Sequence, residues 1–305
     1  MLRSSFGRLA RAYPSLNLVL NVSKDLHEVG IVLPGLRFDD IDHTGQPDIM
    51  KMLDMLNHVE TAALYHDVPF LDYKSLRKQN ISSHVKAAQM EIRSDFYEVT
   101  TPKAPLQVQI RLSQIGETTF TTHTEMYCAG RAKESILIKN MHAFVNSMSN
   151  EPMPVPDWWR NRFDKYALDK DKTPLTIKYE SMPSNSHQIS LQVPLSDTDV
   201  TERTRCASYV KYFLNNASIA SNKSFFKNLK TTFHEFHLKK LCMLYFGPSF
   251  WGDSVTSYAW EEENPLILHC SVKKDEMCLW YGRIEFYNEV FGLYPQTIVS
   301  ADQHV

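Results

Sequence analysis

The sequence predicts an α+β protein made of two similar halves, in each of which an antiparallel sheet wraps around one central helix. Three observations lead to this fold class. An Asp-x-Asp pair precedes a long helical stretch twice, once as Asp40–Asp42 and again, 157 positions later, as Asp197–Asp199. A strand-like run comes before each pair, and four more such runs follow each helical stretch. The proline-rich segment 151–156 separates the halves, because proline lacks the amide donor that a helix or an inner strand needs.

In the first half, the run 30–38 predicts a strand, and a helical stretch follows from Pro47 to about Tyr65. The next four runs alternate apolar and polar residues with a period of two, which is typical of strands with one buried face. These predicted strands cover residues 88–96, 106–112, 118–128 and 135–145.

The second half repeats this order with a strand over 187–195 and a helix from about Cys206 to Asn222. Its four later strands are predicted over residues 238–246, 254–261, 265–272 and 277–286. The predicted organisation is an N-terminal segment 1–24, a first repeat 25–150, a linker 151–184 and a second repeat 185–305. Within the linker, residues 157–160 begin an amphipathic segment that we expect to pack across both halves.

The composition excludes several classes of protein. Of the 305 residues, 43% are hydrophobic, so the chain can bury a substantial core and is neither disordered nor fibrous. Its 33 basic and 35 acidic residues give a net charge of -2, which provides no overall field to attract nucleic acid. No apolar stretch approaches the roughly 20 residues that span a bilayer. We therefore expect no nucleic-acid partner and no membrane span.

The cysteines are odd in number and lack close paired spacing, which favours reduced thiols packed as small apolar residues over disulfides or a zinc site. They are Cys128, Cys206, Cys242, Cys270 and Cys278. We expect neither a metal nor a cofactor.

The first 24 residues have the composition of a transit segment. They contain three arginines, and no acidic residue precedes Asp25. On a helical wheel the arginines lie away from an apolar face formed by Leu2, Phe6, Leu9 and Tyr13. This amphipathic, acid-poor pattern predicts a mitochondrial location. The alternative, an N-terminal arm that packs on the domain, leaves a cytoplasmic location open.

The element order resembles the hotdog fold, and its duplication resembles the double-hotdog acyl-thioesterases. Three features carry the resemblance: the Asp-x-Asp turn before the long helix in both halves, the segment 245–253 before a strand, and the turn within 112–120. The resemblance implies tandem hotdog repeats that form a pseudo-dimer within one chain, with a higher oligomer left open. It also implies a role in lipid metabolism, as a hydrolase of a thioester carried by coenzyme A or acyl carrier protein.

The family's loop resembles Asp-x-Asp-x-x-Gly-His-x-Asn-Asn, in which the second aspartate is the base or nucleophile and helix-start amides polarise the thioester carbonyl. Carried over by position, the first half has Asp40, Asp42 and Gly45, with Gln46 at the histidine position and Asp48 at the first asparagine position. This match implies that Asp42 is catalytic, with the Gly45–Gln46 backbone as the oxyanion donor.

The second loop departs further from the family pattern. It keeps Asp199 but has Glu202 at the glycine position, Arg203 at the histidine position and Arg205 at the first asparagine position. We therefore expect the first loop to be the active one. The second is expected to bind substrate, with Arg203 or Arg205 pairing with a carrier phosphate.

Further substrate-binding candidates are Asp40 and Asp48 in the first loop, and His58 and Glu60 on the first central helix, which could reach the site across the pseudo-twofold interface. Each has a simpler interpretation. Aspartates before a helix are ordinary caps and turn residues, worth about 1 kcal/mol of stability. Helix residues such as His58 are often solvated. A catalytically inactive acyl-CoA-binding or interaction protein on the same scaffold is therefore the alternative to a hydrolase.

Overall fold

The computed structural model describes residues 19–169, 175–229, 236–264 and 266–288. The first half contains two helices, α1 (Ile49–Tyr65) and the short α2 (Tyr73–Lys78). Its strands are β1 (Leu20–Val22), β2 (Glu28–Leu33), β3 (Ile81–Ile92), β4 (Leu106–Ile115), β5 (Thr119–Cys128) and β6 (Ile136–Asn146). A single 3-10 turn, Phe38–Asp40, lies between β2 and α1.

A short helix, α3 (Asp157–Phe163), follows the first half, and the second half contains the long helix α4 (Cys206–Asn222). The strands of the second half are β7 (His187–Gln192), β8 (Leu238–Tyr245), β9 (Ser254–Glu261), β10 (Ile267–Lys274) and β11 (Met277–Phe286). A 3-10 turn, Leu195–Asp197, lies between β7 and α4, in the same place as the turn before α1.

All eleven described strands form one antiparallel sheet in the order β1-β2-β4-β5-β6-β3-β8-β11-β10-β9-β7. The five strands from β2 to β3 and the five from β7 to β8 follow the same connectivity from opposite edges, and β1 adds to the β2 edge. The halves join where β3 pairs with β8, with Ala88 opposite Met243. A continuous backbone ladder therefore crosses the boundary between the halves.

The two long helices pack against the sheet and contact each other. Apolar residues recur at helical spacing in both, so each buries one face. In α1 this face includes Met52, Leu53, Leu56, Val59 and Ala63. In α4 it includes Val210, Phe213, Ala217 and Ala220. No helix in the described ranges is long and apolar enough to cross a membrane.

The segment after the proline-rich stretch packs on the first half, not across both halves as expected. In α3, Trp159 is fully buried and its indole nitrogen donates to the Leu71 carbonyl at 2.8 Å. The indole also contacts the rings of Phe120 and Phe144, with centroids 5.4 and 5.3 Å away. Aromatic side chains of this size take the cavity that fits them, and here that cavity lies between α3 and the first half of the sheet.

Most predicted elements occur where the sequence placed them, and α4, β9 and β11 have the predicted bounds. The main difference is β3, which begins at Ile81 instead of Ala88. Polar residues 82–84 break the alternation there, yet this part of the strand still pairs with β6. Residues 1–18 lie outside the described ranges, so the mitochondrial prediction stays a prediction. Leu20–Val22, near the end of that segment, pairs with β2 and belongs to the sheet.

The five cysteine thiols are free, as expected. Three of them, Cys128, Cys242 and Cys270, are buried, whereas Cys206 and Cys278 are partly buried. Packing as small apolar residues therefore describes three of the five.

Candidate active site

Two loops before the long helices have the same backbone conformation. We call residues 40–49 the first loop and residues 197–206 the second loop. In the first, the Asp42 amide donates to the Gln46 carbonyl at 2.7 Å, and in the second the Asp199 amide donates to the Arg203 carbonyl at 2.8 Å. A left-handed residue occupies the same position in both, Gly45 in one and Glu202 in the other. The loops are therefore equivalent in backbone, despite their different sequences.

The second aspartate of each pair closes its own loop. Oδ1 of Asp42 accepts from the amide and hydroxyl of Thr44, at 2.8 and 2.6 Å, and from the Gln46 amide at 3.2 Å. The Gly45 amide donates to the Asp42 carbonyl at 3.1 Å. The Gly45–Gln46 amides predicted to hold an oxyanion thus already have acceptors within the loop. A tight turn uses its amides to hold its shape, which leaves none for a substrate.

Asp199 makes the equivalent contacts. Its Oδ1 accepts from the amide and hydroxyl of Thr201, at 2.7 and 2.6 Å, and from the Arg203 amide at 3.2 Å. Taken alone, this geometry is that of a turn residue, and it does not distinguish Asp199 from Asp42.

The helices that follow the loops begin differently. Asp48 caps α1, because its Oδ1 accepts from the amides of Met50 and Lys51 at 2.9 and 3.3 Å. The equivalent Arg205 makes no side-chain capping bond to α4. Its guanidinium instead donates to Asp54 of α1 at 2.9 Å and to the Ser196 carbonyl at 2.7 Å. The positive end of the α4 dipole therefore carries no side-chain cap from Arg205.

A cavity of about 430 Å³ lies between the two halves, at the start of α4. Its walls come from α1, the first part of β3, the second loop, the first turn of α4 and residues 245–248. Of the residues predicted from sequence, it brings together Glu60, Asp199 and Arg203. The loop that lines the cavity is therefore the second one, which departs further from the family pattern.

The other predicted residues lie elsewhere. None of the residues 40–49 lines this cavity. Asp40 is buried against Arg37, whose backbone amide and Nε donate to its carboxylate at 2.9 and 3.1 Å. The Arg37 guanidinium holds the pKa of that carboxyl below its usual range. His58 is exposed on α1, with Nδ1 3.8 Å from Asp54. Asp40 and His58 therefore make contacts that stabilise the fold, and neither of them lines the cavity with Glu60.

Glu60 is a buried carboxylate held by three side chains of the sheet. It accepts from the Thr122 hydroxyl at 2.5 Å and the Asn140 amide at 2.6 Å, and it lies 3.2 Å from Nε2 of His142. Only 5% of its side chain is exposed. Burial alone would raise the pKa of the carboxyl, but His142 and the hydrogen bonds outweigh burial, so this pKa lies below its ordinary value of 4.5. Glu60 is therefore ionised where it borders the cavity.

Sequence reasoning missed Thr122, Asn140 and His142, although signals for them exist. Glu60 interrupts the buried face of α1, at the spacing of Leu56 and Ala63. Asn140 and His142 are two residues apart on β6, so both face the same side of the sheet. Polar residues at inward positions on a helix and on a neighbouring strand indicate a buried polar cluster, since buried polar groups need partners.

Arg203 faces His84, a residue of β3 in the other half. Its Nη1 lies 3.3 Å from Nε2 of His84, and the same imidazole nitrogen contacts Oδ1 of Asn150 at 3.1 Å. Burial, and then the charge of Arg203, lower the pKa of His84 to about 4, so this ring is uncharged at neutral pH. Burial raises the pKa of the Cys206 thiol, which also lines the cavity, to about 11. That thiol is therefore not ionised near neutral pH.

No protein-family model matches the chain, and no curated protein matches it by sequence. Solved structures do match. An acyl-ACP thioesterase from Bacteroides thetaiotaomicron superposes with a TM-score of 0.64 and 13% identity, over 87% of this chain and 100% of that one. A 12:0-ACP thioesterase from Umbellularia californica has a TM-score of 0.66 and 11% identity, over 88% and 99% of the two chains. At these identities the likeness is one of fold, and at that level the predicted resemblance is confirmed.

Proposed function

We propose that the chain is an acyl-thioester hydrolase built from two tandem hotdog repeats, with its active site in the cavity between them. One observation carries the proposal: the buried, ionised Glu60 lines the same cavity as the start of α4, which Arg205 does not cap. Thioester hydrolysis needs a group that activates or replaces water and a donor for the oxyanion that develops. The first half contributes the carboxylate, and the second contributes the helix terminus.

In this mechanism, Glu60 takes a proton from water while the oxygen adds to the thioester carbonyl. The negative charge that forms on the carbonyl oxygen lies at the α4 terminus, where the dipole and the first amides stabilise it. The carbon–sulfur bond then breaks, and the proton held by Glu60 passes to the departing thiolate. Thr122, Asn140 and His142 hold the carboxylate in place. In the alternative, Glu60 attacks the carbonyl carbon directly and the carbon–sulfur bond breaks as the thiolate leaves. Water then hydrolyses the mixed anhydride, which frees the acid, regenerates the Glu60 carboxylate and supplies a proton to the thiolate.

This proposal moves the catalytic carboxylate from Asp42 to Glu60. Asp42 resembles the family residue in sequence, but its loop does not line the cavity, whereas Glu60 does. The substrate is an acyl group carried by coenzyme A or by acyl carrier protein, since the structures it superposes on are named for acyl-ACP hydrolysis. Because both halves contribute to one site, a single chain is sufficient for activity.

The test is Glu60→Gln, which keeps the shape of the side chain and removes its charge. We expect release of free thiol from acyl-CoA to fall by about 10²- to 10⁴-fold, the usual cost of removing a general base. Glu117→Gln is the matched control, because it makes the same chemical change on an exposed turn between β4 and β5. Both variants should unfold cooperatively. Full activity in a folded Glu60→Gln protein would remove Glu60 from the mechanism.

A second function has one observation in its favour: Gln46 and Arg203 replace the family's histidine in both loops. A protein with this change could bind acyl thioesters without hydrolysing them. Saturable acyl-CoA binding with no thiol release by the wild-type protein would support this alternative.

A further inference from the structure

The walls of the cavity combine polar side chains with aromatic rings. Leu64, Val85 and Pro248 supply the only aliphatic side chains among the described residues that line it. Phe246 is half exposed, and the other rings carry hydroxyls or imidazole nitrogens: Tyr65, Tyr73, Tyr209, Tyr245, His84 and His142. An acyl group in this cavity therefore lies beside side chains that can hydrogen-bond to a polar terminus.

Packed rings close the cavity where Glu60 and His142 border it. Phe120 stacks on His142 with ring centroids 4.7 Å apart, and Trp159 packs on Phe120 at 5.4 Å. Both Phe120 and Trp159 are buried. An acyl chain that continued past Glu60 would have to displace this stack, and well-packed cores resist such insertions. The space therefore suits a short acyl group.

Arg203 is a cation that lines this cavity. Arg203 forms no ion pair with an acid of the described ranges, and its guanidinium faces the neutral ring of His84. Arg205, two residues later, is paired with Asp54. Asp199, an acid of the same loop, accepts hydrogen bonds through Oδ1 from Thr201 and from the Arg203 backbone. A half-buried guanidinium is stabilised by an oxyanion, which it binds through two parallel hydrogen bonds.

We propose that the acyl group accepted by this site is short and ends in a carboxylate, which Arg203 binds. The inference rests on the proposed thioesterase function and names its substrate class. The thioester carbonyl lies between Glu60 and the start of α4, and the carboxylate at the far end of the acyl group pairs with Arg203. A short dicarboxylic monothioester satisfies both ends, whereas a long saturated chain lacks the carboxylate that Arg203 would bind.

The experiment compares kcat/KM for three thioesters of coenzyme A: glutaryl, pentanoyl and dodecanoyl. Glutaryl and pentanoyl groups have the same number of carbons and differ in the terminal carboxylate. We expect the wild-type protein to prefer glutaryl-CoA over pentanoyl-CoA by about tenfold or more, equivalent to about 1.4 kcal/mol. Arg203→Met should abolish this preference by lowering kcat/KM for glutaryl-CoA alone, and Arg203→Lys should restore part of it.

The outcomes separate this inference from the proposed function. Fastest turnover of dodecanoyl-CoA, or an unchanged preference in Arg203→Met, would overturn the substrate class and leave the hydrolase intact. An equal loss on all three thioesters in Arg203→Met would assign Arg203 to the carrier phosphate and also overturn it. If the wild-type protein hydrolyses none of them, the proposed function fails. Calorimetric binding of glutaryl-CoA, lost in Arg203→Met, would then still support the carboxylate site, and absence of binding would end it.

Discussion

The first and second loops have the same backbone but different partners. In the first loop, Asp40 pairs with Arg37, three residues before it, and Asp48 caps the helix that it precedes. In the second loop, Asp197 pairs with Lys211, in the second turn of the helix. The two arginines of the second loop reach the other half of the molecule: Arg205 binds Asp54 on α1, and Arg203 contacts His84 on β3.

The comparison shows that the loop backbone and the site are determined separately. The Asx-type contacts of Asp42 and Asp199 reproduce one turn in both halves, so resemblance to a loop motif indicates the turn and not its use. Whether such a turn forms part of an active site depends on which side chains of other elements face it. In the described part of the chain, the cavity that Glu60 lines is also lined by the second loop and by none of the residues 40–49.

The largest expected effect is on activity, and it distinguishes the loops directly. Asp42→Asn and Asp199→Asn make the same change at equivalent positions, and in each the amide oxygen can still accept the loop hydrogen bonds. We expect Asp199→Asn to raise kcat/KM about tenfold, about 1.4 kcal/mol, because it removes from the cavity wall a negative charge that opposes the developing oxyanion. Asp42→Asn should stay within about twofold. The reverse result, in which Asp42→Asn changes kcat/KM and Asp199→Asn leaves it unchanged, would place the site at the first loop.

A smaller effect is expected on stability at acidic pH, through the burial of His84 and its contact with Arg203. The pKa of His84 is lowered from 6.5 to about 4 in the folded protein. Between these values the unfolded chain binds a proton that the folded protein does not, so His84 lowers the free energy of unfolding as the pH falls. One such group contributes at most about 1.4 kcal/mol per pH unit.

His84→Gln should therefore make the free energy of unfolding less dependent on pH between 6.5 and 4, as measured by urea denaturation at several pH values. The other charged or titratable groups near the ring are Arg203, Lys86 and His142. They remain in the variant, so the difference between the two proteins isolates His84. Identical slopes would show that the folded ring titrates normally.

The smallest effect concerns the left-handed residue that both loops need. Gly45 has a φ of +82°, and a Cβ added there would contact nothing within 4 Å, so Gly45→Ala should cost only the backbone strain of about 1 kcal/mol. Glu202 has a φ of +66° and already bears that strain, so Glu202→Gly should stabilise the protein by about 0.5 to 1 kcal/mol. Melting temperatures should shift in opposite directions. Shifts of the same sign would mean that the two turns are not equivalent.

The sequence by itself determined the elements and the turns of this protein. The two long helices, the strands that follow them and the matched Asp-x-Asp turns depend on local periodicity, on capping and on short-range hydrogen bonds, all of which involve neighbouring residues. For this reason α4, β9 and β11 could be predicted to the residue. The long polar beginning of β3 could not, because its strand conformation depends on pairing with β6.

Tertiary structure alone decided where the proposed site lies. Glu60 is far in sequence from Thr122, Asn140 and His142, and only the sheet brings these side chains to one carboxylate. The pairing of β3 with β8 then places the second loop, and not the first, across the cavity from Glu60. A turn motif consists of consecutive residues, whereas the partners that surround Glu60 and Arg203 come from parts of the chain 62 to 119 residues away.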